Sequence, residues 1–372
     1  MRAAVLREIG KSPPYAASRP LCVEEVELDP PGPNEVLIQI KAAGLCHSDL
    51  VAVDGERAKP VPIVLGHEAA GVVVSVGPGV DSIAVGDHVV PSYVASCGRC
   101  EMCWQGRPAL CIPATKANAE GTLFGGSTRL HRDGERIHHH SGVAAFAEYA
   151  VVSANAIIRI DKSIPFEHAA LFGCAVATGV GSVLNTASVR PGESVAIVGL
   201  GGVGLSALLA AVMAGASPVV AVDVNDDKLH FARELGAHLT FNATEANCIE
   251  AVRAASDGGV HVAVETAGAA RALDLAFKIT RRGGSTVAAG MPGPDAAISL
   301  GHLCLAAEER TLKGSYMGSC VQSRDIPRFI RLFQDGKLPV DRLASHTVSL
   351  DELNEAFDRM VEGTAVRQIL VL

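Results

Sequence analysis

The sequence predicts an α/β protein in which a β-rich N-terminal part precedes a part with alternating strands and helices. The first 90 or so residues contain short β-branched runs bounded by Gly and Pro, at 36–40, 71–76 and 87–90. From Ser194 the pattern changes to strands at 195–198, 219–222, 261–264 and 285–288, with helices at 205–214, 227–235 and 272–279. Such alternation is typical of a parallel sheet with helices on both faces.

The remaining segments complete this outline. Residues 146–160 return to strand character, and the C-terminal part contains helix patterns at 326–333 and 352–360 and a strand at 368–371. Residues 112–142 are rich in Gly, His and polar side chains without a clean period, so the sequence predicts a long irregular loop there. Long loops in compact domains are often functional.

Composition and charge narrow the class of protein. The 372 residues suggest two or three domains, and 48% apolar and 19% charged residues predict a well-packed chain. The net charge of −8 argues against nucleic acid or an anionic membrane as partner.

The N-terminal residues carry charge too early for a signal peptide. Glycines divide the uncharged run 194–222, which therefore does not predict a membrane helix. Ten cysteines without a secretion signal indicate reduced thiols and a cytoplasmic location.

A dinucleotide fingerprint opens the alternating part. Gly199, Gly201 and Gly204 fit G-x-G-x-x-G within Gly199-Leu200-Gly201-Gly202-Val203-Gly204, between a predicted strand and a predicted helix. Glycines let the backbone approach a pyrophosphate, and the helix N-terminus supplies free N–H groups. Asp223 ends the next predicted strand, and no arginine follows it directly. A carboxylate there accepts from the ribose hydroxyls and repels a 2′-phosphate, so the sequence predicts NAD rather than NADP.

Four cysteines follow the pattern Cys97-x2-Cys100-x2-Cys103-x7-Cys111. Four thiolates at this spacing can close a tetrahedral zinc with no open position, which predicts a structural site. An iron–sulfur cluster is the alternative, but there the fourth cysteine usually comes three residues after the third and is followed by Pro.

A second metal site is predicted from Cys46, His67 and Cys174, which come from distant segments. Zinc that does chemistry needs about three protein ligands and a vacant position. Asp49 is predicted to hold the far nitrogen of His67, and Glu68 to stand behind the metal. Taken alone, Cys46 and His67 would also fit an ordinary core thiol and a satisfied core imidazole.

Together these motifs resemble the zinc-dependent alcohol dehydrogenases of the medium-chain dehydrogenase/reductase superfamily, of the long-loop type found in animals and plants. The resemblance covers essentially the whole chain. It implies a GroES-like catalytic domain at 1–175 with the zinc lobe 97–111, a Rossmann NAD-binding domain at 176–318, and a return to the catalytic domain at 319–372. It also implies a homodimer, with a tetramer as the alternative. It further implies two zinc ions per subunit, one catalytic on Cys46, His67 and Cys174 and one structural.

The resemblance further implies the reaction and the residues around it. Hydride passes between a primary or secondary alcohol and NAD, and Ser48 accepts the alcohol proton. Thr178 and Val203 pack against nicotinamide, His47 and Arg367 reach the pyrophosphate, and Lys228 lies at the adenosine ribose. The family often ends the proton relay with a histidine three positions after the serine, where this chain has Val51.

The substrate positions depart from the apolar pocket of ethanol-type relatives. The resemblance assigns them to Arg57, Tyr93, Leu110, Lys116, His140, Ser141, Met291 and Tyr316. Basic groups in an apolar slot need a partner, which predicts a polar or anionic alcohol or aldehyde. The alternative is that Arg57 and Lys116 extend to solvent at the rim.

Three other functions are left open by the sequence. One is glutathione-dependent formaldehyde dehydrogenase, whose arginine soon after the fourth lobe cysteine is absent here, with Lys116 as a substitute lacking the bidentate fork. Another is a zinc-free reductase of the same superfamily, disfavoured because every catalytic ligand position is filled. The third, from a different class, is a non-catalytic NAD-binding sensor or interaction protein.

Overall fold

The computed structural model describes all 372 residues, which divide into two compact units. The first unit comprises Met1–Cys174, Val321–Ile330 and Val340–Leu372, and the second comprises Ala175–Cys320 and Arg331–Pro339. Residues 331–339, assigned with the C-terminal return on sequence grounds, thus group with the second unit. The division falls within a single helix, since Gln322–Gln334 is continuous.

The chain forms strands in both units. In chain order they are β1 Arg2–Leu6, β2 Leu21–Glu25, β3 Glu27–Leu28, β4 Glu35–Gly44, β5 Ile63–Val64, β6 Glu68–Val76, β7 His88–Pro91, β8 Leu130–Arg132, β9 Glu135–His139, β10 Tyr149–Ser153, β11 Ile157–Ile160, β12 Val195–Val198, β13 Val219–Asp223, β14 Leu239–Asn242, β15 Val260–Glu265, β16 Thr280–Ala288, β17 Thr311–Gly314, β18 His346–Val348 and β19 Gln368–Val371.

Most helices are short. They are α1 Tyr15–Ser18, α2 His47–Val53, α3 Glu101–Trp104, α4 Ile112–Glu120, α5 Phe166–Ala170, α6 Ala175–Gly181, α7 Gly202–Met213, α8 Asp226–Glu234, α9 Cys248–Ala255, α10 Ala270–Ile279, α11 His302–Ala307, α12 Gln322–Gln334 and α13 Leu353–Glu362. A π-helical segment, Ser182–Ala187, follows α6. No single helix has both the length and the apolar composition needed to cross a bilayer; the consecutive apolar helices Phe166–Gly173 and Ala175–Ala187 reach that length only as a bent pair.

The first unit is built on two sheets, as the β-rich reading of its sequence predicts. One sheet has the order β2-β1-β5-β9-β8-β3, and the other has the order β11-β7-β6-β4-β19-β18 with β10 also paired to β4. The strand β4 is central because β6, β10 and β19 all pair with it in antiparallel register. Apolar side chains from these strands bury a core around Phe146 and Phe357.

The second unit contains a parallel sheet with the order β14-β13-β12-β15-β16-β17. In chain order this is 3-2-1-4-5-6, the doubly wound Rossmann arrangement, with the reversal of strand order at β12. All four residues of β12 are buried, as expected for a central strand covered on both faces. The carboxyl end of β12 therefore lies where such sheets bind ligands.

The prediction of an irregular loop at 112–142 is wrong for part of that segment. It contains helix α4 and the hairpin of β8 and β9. Pro113 lies in the first turn of α4 and Gly121 closes it in the left-handed conformation at φ 65°. Asp133 and Gly134, both at positive φ, form the two-residue turn of the hairpin. These local turn signals were present in the sequence, but α4 buries only Ala114 and Ala117, so its apolar period is weak.

Candidate metal and dinucleotide sites

Three buried side chains of the first unit converge on one point. The ligand atoms of Cys46, His67 and Cys174 lie within 4.8 Å of one another. Cys46 caps the start of α2, His67 precedes β6, and Cys174 follows the turn Leu171–Gly173. Gly66 holds the bend before His67 at φ 85°, where a Cβ atom would come within 2.7 Å of the backbone nitrogen of Phe146. The structure thus brings together the three residues that the sequence assigns to a catalytic metal.

The two thiols of this group interact, and their pKa values shift in opposite directions. Hydrogen bonds from Cys174 and from His67 lower the pKa of Cys46 well below its ordinary value. The bond to Cys46, together with burial, raises the pKa of Cys174. Cys46 is therefore held as a thiolate, the form that binds metals. Two sulfurs and one imidazole form a donor set suited to zinc, and three protein ligands leave a fourth position open. The residues present fit a catalytic zinc ion.

The carboxylate of Asp49 organises the backbone and side chains around this group. Its Oδ1 accepts hydrogen bonds from the backbone N–H of Gly66 at 3.0 Å, from Nδ1 of His67 at 3.1 Å and from Nδ1 of His140 at 2.9 Å. Its Oδ2 accepts from the backbone N–H of Cys46 at 3.1 Å. Burial opposes the charge of Asp49, but the two imidazoles lower its pKa. Because Nδ1 of His67 donates to Asp49, Nε2 remains for a metal.

Glu68 forms a buried ion pair with Arg367. Nε of Arg367 donates to Oε1 of Glu68 at 3.1 Å, and Nη2 donates to Oε2. Burial raises the pKa of Glu68 even though Arg367 opposes this shift. Gly44 leaves room for the carboxylate, since a Cβ there would lie 2.2 Å from Oε1. The guanidinium assigned to the pyrophosphate is thus only 6% exposed and is engaged with Glu68.

The four lobe cysteines also come together. Their sulfur atoms lie within 4.8 Å of one another, and none forms a disulfide. Backbone N–H groups donate to these sulfurs, from Cys97 to Cys111 at 3.3 Å and from Cys100 to Cys97 at 3.2 Å. Backbone hydrogen bonds lower the pKa of Cys100 to about 6, whereas burial raises that of Cys111 to about 12. Four sulfur donors without a vacant position fit a structural zinc.

The residues assigned to the substrate pocket have different environments. In the first unit Ser48, Arg57, Tyr93, Leu110 and Ser141 are half-buried. The ring of Tyr93 meets the ring of His67 edge-on at 5.6 Å between centroids. In the second unit Met291 is 48% exposed and Tyr316 is half-buried.

Two of the basic positions differ from the expectation of cations in an apolar slot. The side chain of Lys116 is 75% exposed on α4 and lies 3.8 Å from the carboxylate of Glu120, one helical turn away. His140 is buried, and its Nδ1 donates to Asp49. Burial lowers the pKa of His140 although Asp49 opposes this, so the ring is neutral. Lys116 extends to solvent, as the alternative interpretation states, and His140 supports the metal ligands.

Sequence reasoning missed Lys59, a half-buried cation that lies close to Arg57. Its Nζ donates to the backbone carbonyl of Asn118 at 3.4 Å. Burial and the neighbouring Arg57 lower the pKa of Lys59. The available signal was a second cation two positions after Arg57 on the same short segment.

The glycine motif of the second unit occupies the turn between β12 and α7. Gly199 has φ 93°, and a Cβ on Gly204 would lie 1.8 Å from the carbonyl oxygen of Gly199, so α7 packs tightly against the strand end. Gly201 has no atom within 4 Å of its Cβ position and caps α7, which begins at Gly202. The turn therefore presents an open backbone at the helix N-terminus, which suits a phosphate group.

Asp223 and its neighbours continue this site. Asp223 ends β13, and its carboxylate accepts from the backbone N–H of Leu200 at 2.6 Å and of Asn225 at 3.0 Å. Thr178 is buried in α6, whereas Val203 in α7 and Lys228 in α8 are half-buried. In the first unit, His47 is exposed at the first position of α2. The residues that the sequence assigns to the dinucleotide thus include a set built around one sheet edge of the second unit.

Comparison with known proteins identifies the family of the chain. The family model of the alcohol dehydrogenase GroES-like domain matches residues 32–162, and that of the zinc-binding dehydrogenases matches residues 202–335. S-(hydroxymethyl)glutathione dehydrogenase of Escherichia coli O1:K1 / APEC is 36% identical over 360 residues, which cover 96% of this chain and 97% of that protein.

Solved structures of related dehydrogenases are similar to this chain over its whole length. The structure of benzyl alcohol dehydrogenase from Acinetobacter calcoaceticus has a TM-score of 0.93 and 32% identity, covering 100% of this chain and 99% of that one. A structure from Sinorhizobium meliloti 1021, described as that of a zinc-binding dehydrogenase with bound NADP, has a TM-score of 0.82 and 27% identity, with coverage of 100% and 99%. The chain therefore belongs to the zinc-dependent alcohol dehydrogenases of the medium-chain dehydrogenase/reductase superfamily, with zinc and a nicotinamide dinucleotide as cofactors.

Proposed function

We propose that this protein is an NAD-dependent alcohol dehydrogenase that transfers hydride between a primary or secondary alcohol and NAD+, with aldehyde or ketone reduction as the reverse reaction. One observation carries the proposal. Three buried ligands from distant segments, Cys46, His67 and Cys174, lie within 4.8 Å of one another and leave a fourth metal position open. A purely structural zinc would have a closed set of four, as in the lobe.

The chain's own residues support this chemistry in defined ways. Zinc, when bound, supplies a Lewis acid that lowers the pKa of a bound hydroxyl and polarises a carbonyl. Asp49 fixes the ring orientation of His67 through its Nδ1. Ser48, in the first turn of α2, takes the proton of the substrate hydroxyl and releases its own to water or to another group. Nη2 of Arg57 donates to Oγ of Ser48 at 3.4 Å, which leaves the serine O–H free to point elsewhere.

We infer NAD rather than NADP as the coenzyme. The carboxylate of Asp223 ends β13 beside the glycine turn, and 224–227 contain no arginine to bind a 2′-phosphate. The test compares kcat/KM for the two coenzymes in the native protein and in Asp223→Ser. A native preference for NADP would contradict the inference.

The same site supports a substrate with a polar or anionic group. Arg57 is half-buried, and its Nη2 lies 3.4 Å from Oγ of Ser48. An unpaired cation in such a half-buried position is costly unless a ligand neutralises it. The partners of this protein are thus small alcohols and aldehydes rather than nucleic acid or membrane.

A second candidate is S-(hydroxymethyl)glutathione dehydrogenase. It is favoured by the 36% identity over 360 residues to a protein of that name. Lys116, the substitute for a carboxylate-binding arginine, is exposed and lies close to Glu120. This position argues against the glutathione-dependent activity. A non-catalytic NAD-binding sensor is the candidate from another class, and it gives no reason for an open metal site.

One experiment separates these functions. The purified, zinc-replete protein is given NAD+ with a panel of alcohols and with the glutathione–formaldehyde adduct, and NADH absorbance is followed. We expect turnover of simple alcohols and about two zinc per chain. Exclusive turnover of the adduct would favour the second candidate. One zinc or none, with no turnover of any compound, would favour the sensor.

Cellular location and assembly complete the proposal. Ten free cysteines suit a reducing compartment, and we propose a cytoplasmic homodimer. Light scattering during gel filtration tests the subunit number, and a monomer or a tetramer would contradict the dimer.

A further inference from the structure

Arg57 and Lys59, two positions apart in the sequence, have no acidic partner. Nη2 of Arg57 contacts only the Ser48 hydroxyl, at 3.4 Å, and its Nε is buried without any hydrogen-bond partner. Lys59 has a single contact, from Nζ to the carbonyl oxygen of Asn118 at 3.4 Å. Neither forms a salt bridge, whereas the exposed Lys116 lies close to Glu120.

The neighbouring carboxylates do not neutralise these cations. Asp49 is committed to four donors around the metal ligands. Asp54 accepts from the backbone N–H of Glu56, and Glu56 itself is exposed. Burial and the charge of Arg57 lower the pKa of Lys59, so the two cations lie close enough to repel each other. A folded protein keeps unpaired, half-buried cations at a cost, which a bound anion would offset.

We propose that Arg57 and Lys59 form an anion subsite that binds a carboxylate on the substrate. The inference rests on the proposed alcohol dehydrogenase function and specifies its substrate class. The guanidinium of Arg57, whose only side-chain hydrogen bond is the 3.4 Å contact with Ser48, offers planar donors to a carboxylate. Lys59 adds a point charge and one further donor.

The distance to Ser48 limits the length of the substrate. Ser48 contacts the reacting hydroxyl in the proposed mechanism, and Arg57 lies 3.4 Å from Ser48. With a hydrogen bond of about 2.8 Å at each end, the hydroxyl and the carboxylate are at most about 9 Å apart. An extended chain advances about 1.2 Å per bond, so 4-hydroxybutanoate spans about 6 Å. The substrate class is therefore short ω-hydroxy acids and their aldehyde acids, rather than the long glutathione adduct.

A matched pair of substrates tests the subsite. We expect kcat/KM for 4-hydroxybutanoate to exceed that for 4-hydroxybutanamide, its neutral analogue, at least tenfold. Arg57→Leu should abolish this preference, mainly through KM for the acid, and Arg57→Lys should retain part of it. Lys59→Met should reduce the preference several-fold. Arg136→Leu removes an exposed cation from β9 and should leave the preference intact, which controls for net charge.

Direct binding separates the subsite from the proposed reaction and from the coenzyme. Calorimetry of the acid and the amide on the zinc-replete protein does not require turnover, and equal affinities would overturn the subsite. Turnover of neutral alcohols without any preference for the acid would leave the alcohol dehydrogenase in place and also overturn it. If Arg57→Leu weakens NADH binding and leaves the acid preference unchanged, the anion is a coenzyme phosphate and the proposal is wrong.

Discussion

Single residues around the catalytic ligands determine how firmly the metal is held. Asp49 accepts three hydrogen bonds on Oδ1, and His140 provides the shortest of them at 2.9 Å. The ring of His140 also meets that of His67 edge-on at 5.2 Å. His140 thus positions His67 both through Asp49 and by packing.

Replacing His140 by Phe should weaken zinc binding at the catalytic site. Phe keeps the ring but removes the donor, so Asp49 is held less firmly and affinity should fall about tenfold or more. Release of zinc to a chromogenic chelator measures this, with the four-cysteine lobe as internal reference. His140→Asn, which retains a donor, should lie between the two. Unchanged release from His140→Phe would show that the hydrogen bond has no role in metal retention.

His139, next to His140, should make the stability of the fold decrease at acid pH. It is fully buried, and burial lowers its pKa to about 3. The unfolded chain takes up this proton near pH 6.5, so stability is complete above that value and is lost as pH falls toward 3, by up to about 1.4 kcal/mol per unit. His139→Gln, which can still accept the N–H of Arg129, should flatten the decline in thermal midpoint between pH 6.5 and 4. A parallel decline in both proteins would contradict this assignment.

Val51 sets the pH dependence of the proposed reaction. It is buried in α2 and cannot titrate, so the proton must leave through water or another group. Alcohol oxidation should therefore lose rate at low pH more steeply than in relatives that have histidine there. Val51→His should flatten the acid limb of the kcat/KM profile, and Val51→Leu serves as control. Superimposable profiles for all three proteins would contradict this role of residue 51.

At the scale of elements, two glycines in the turn between β12 and α7 have different roles. Gly204 is needed for packing, and Gly201 is needed for coenzyme binding. A Cβ on Gly204 would lie 1.8 Å from the backbone oxygen of Gly199, so Gly204→Ala forces α7 away from the strand. Gly201→Ala meets no atom within 4 Å and should fold normally, but its methyl group obstructs the phosphate.

We expect Gly204→Ala to lower the thermal midpoint by several degrees, and Gly201→Ala to leave it unchanged while weakening NADH binding at least tenfold. Differential scanning calorimetry and NADH fluorescence titration measure the two effects. Equal thermal midpoints for both variants would show that the close approach at Gly204 is tolerated.

The elements also indicate what a sequence can and cannot reveal. β12 is found at the predicted residues 195–198 because a buried parallel strand is a continuous apolar run between turn signals. The contact between His140 and Asp49 spans 91 positions and carries no local pattern, so it required the fold. Lys116 lies on α4, which the sequence did not predict, and its exposure follows from that helix.

At the scale of the whole molecule, the metal ligands all belong to the first unit and the glycine motif belongs to the second. The two proposed zinc sites share no ligand, and each draws its donors from its own segments. They should therefore fill and empty independently, one supporting the lobe and the other the chemistry.

Serine substitutions test this independence. The native protein should contain about two zinc per chain, and Cys46→Ser or Cys103→Ser should each contain about one, because a closed four-sulfur site loses its metal when one thiolate is removed. Cys103→Ser should also become sensitive to proteolysis within 97–111, since the lobe has only short helices to order it. Cys46→Ser should keep the lobe resistant but lose alcohol oxidation. Loss of both ions in either variant would show that the sites are coupled, and the lobe could then not be treated as a separate structural element.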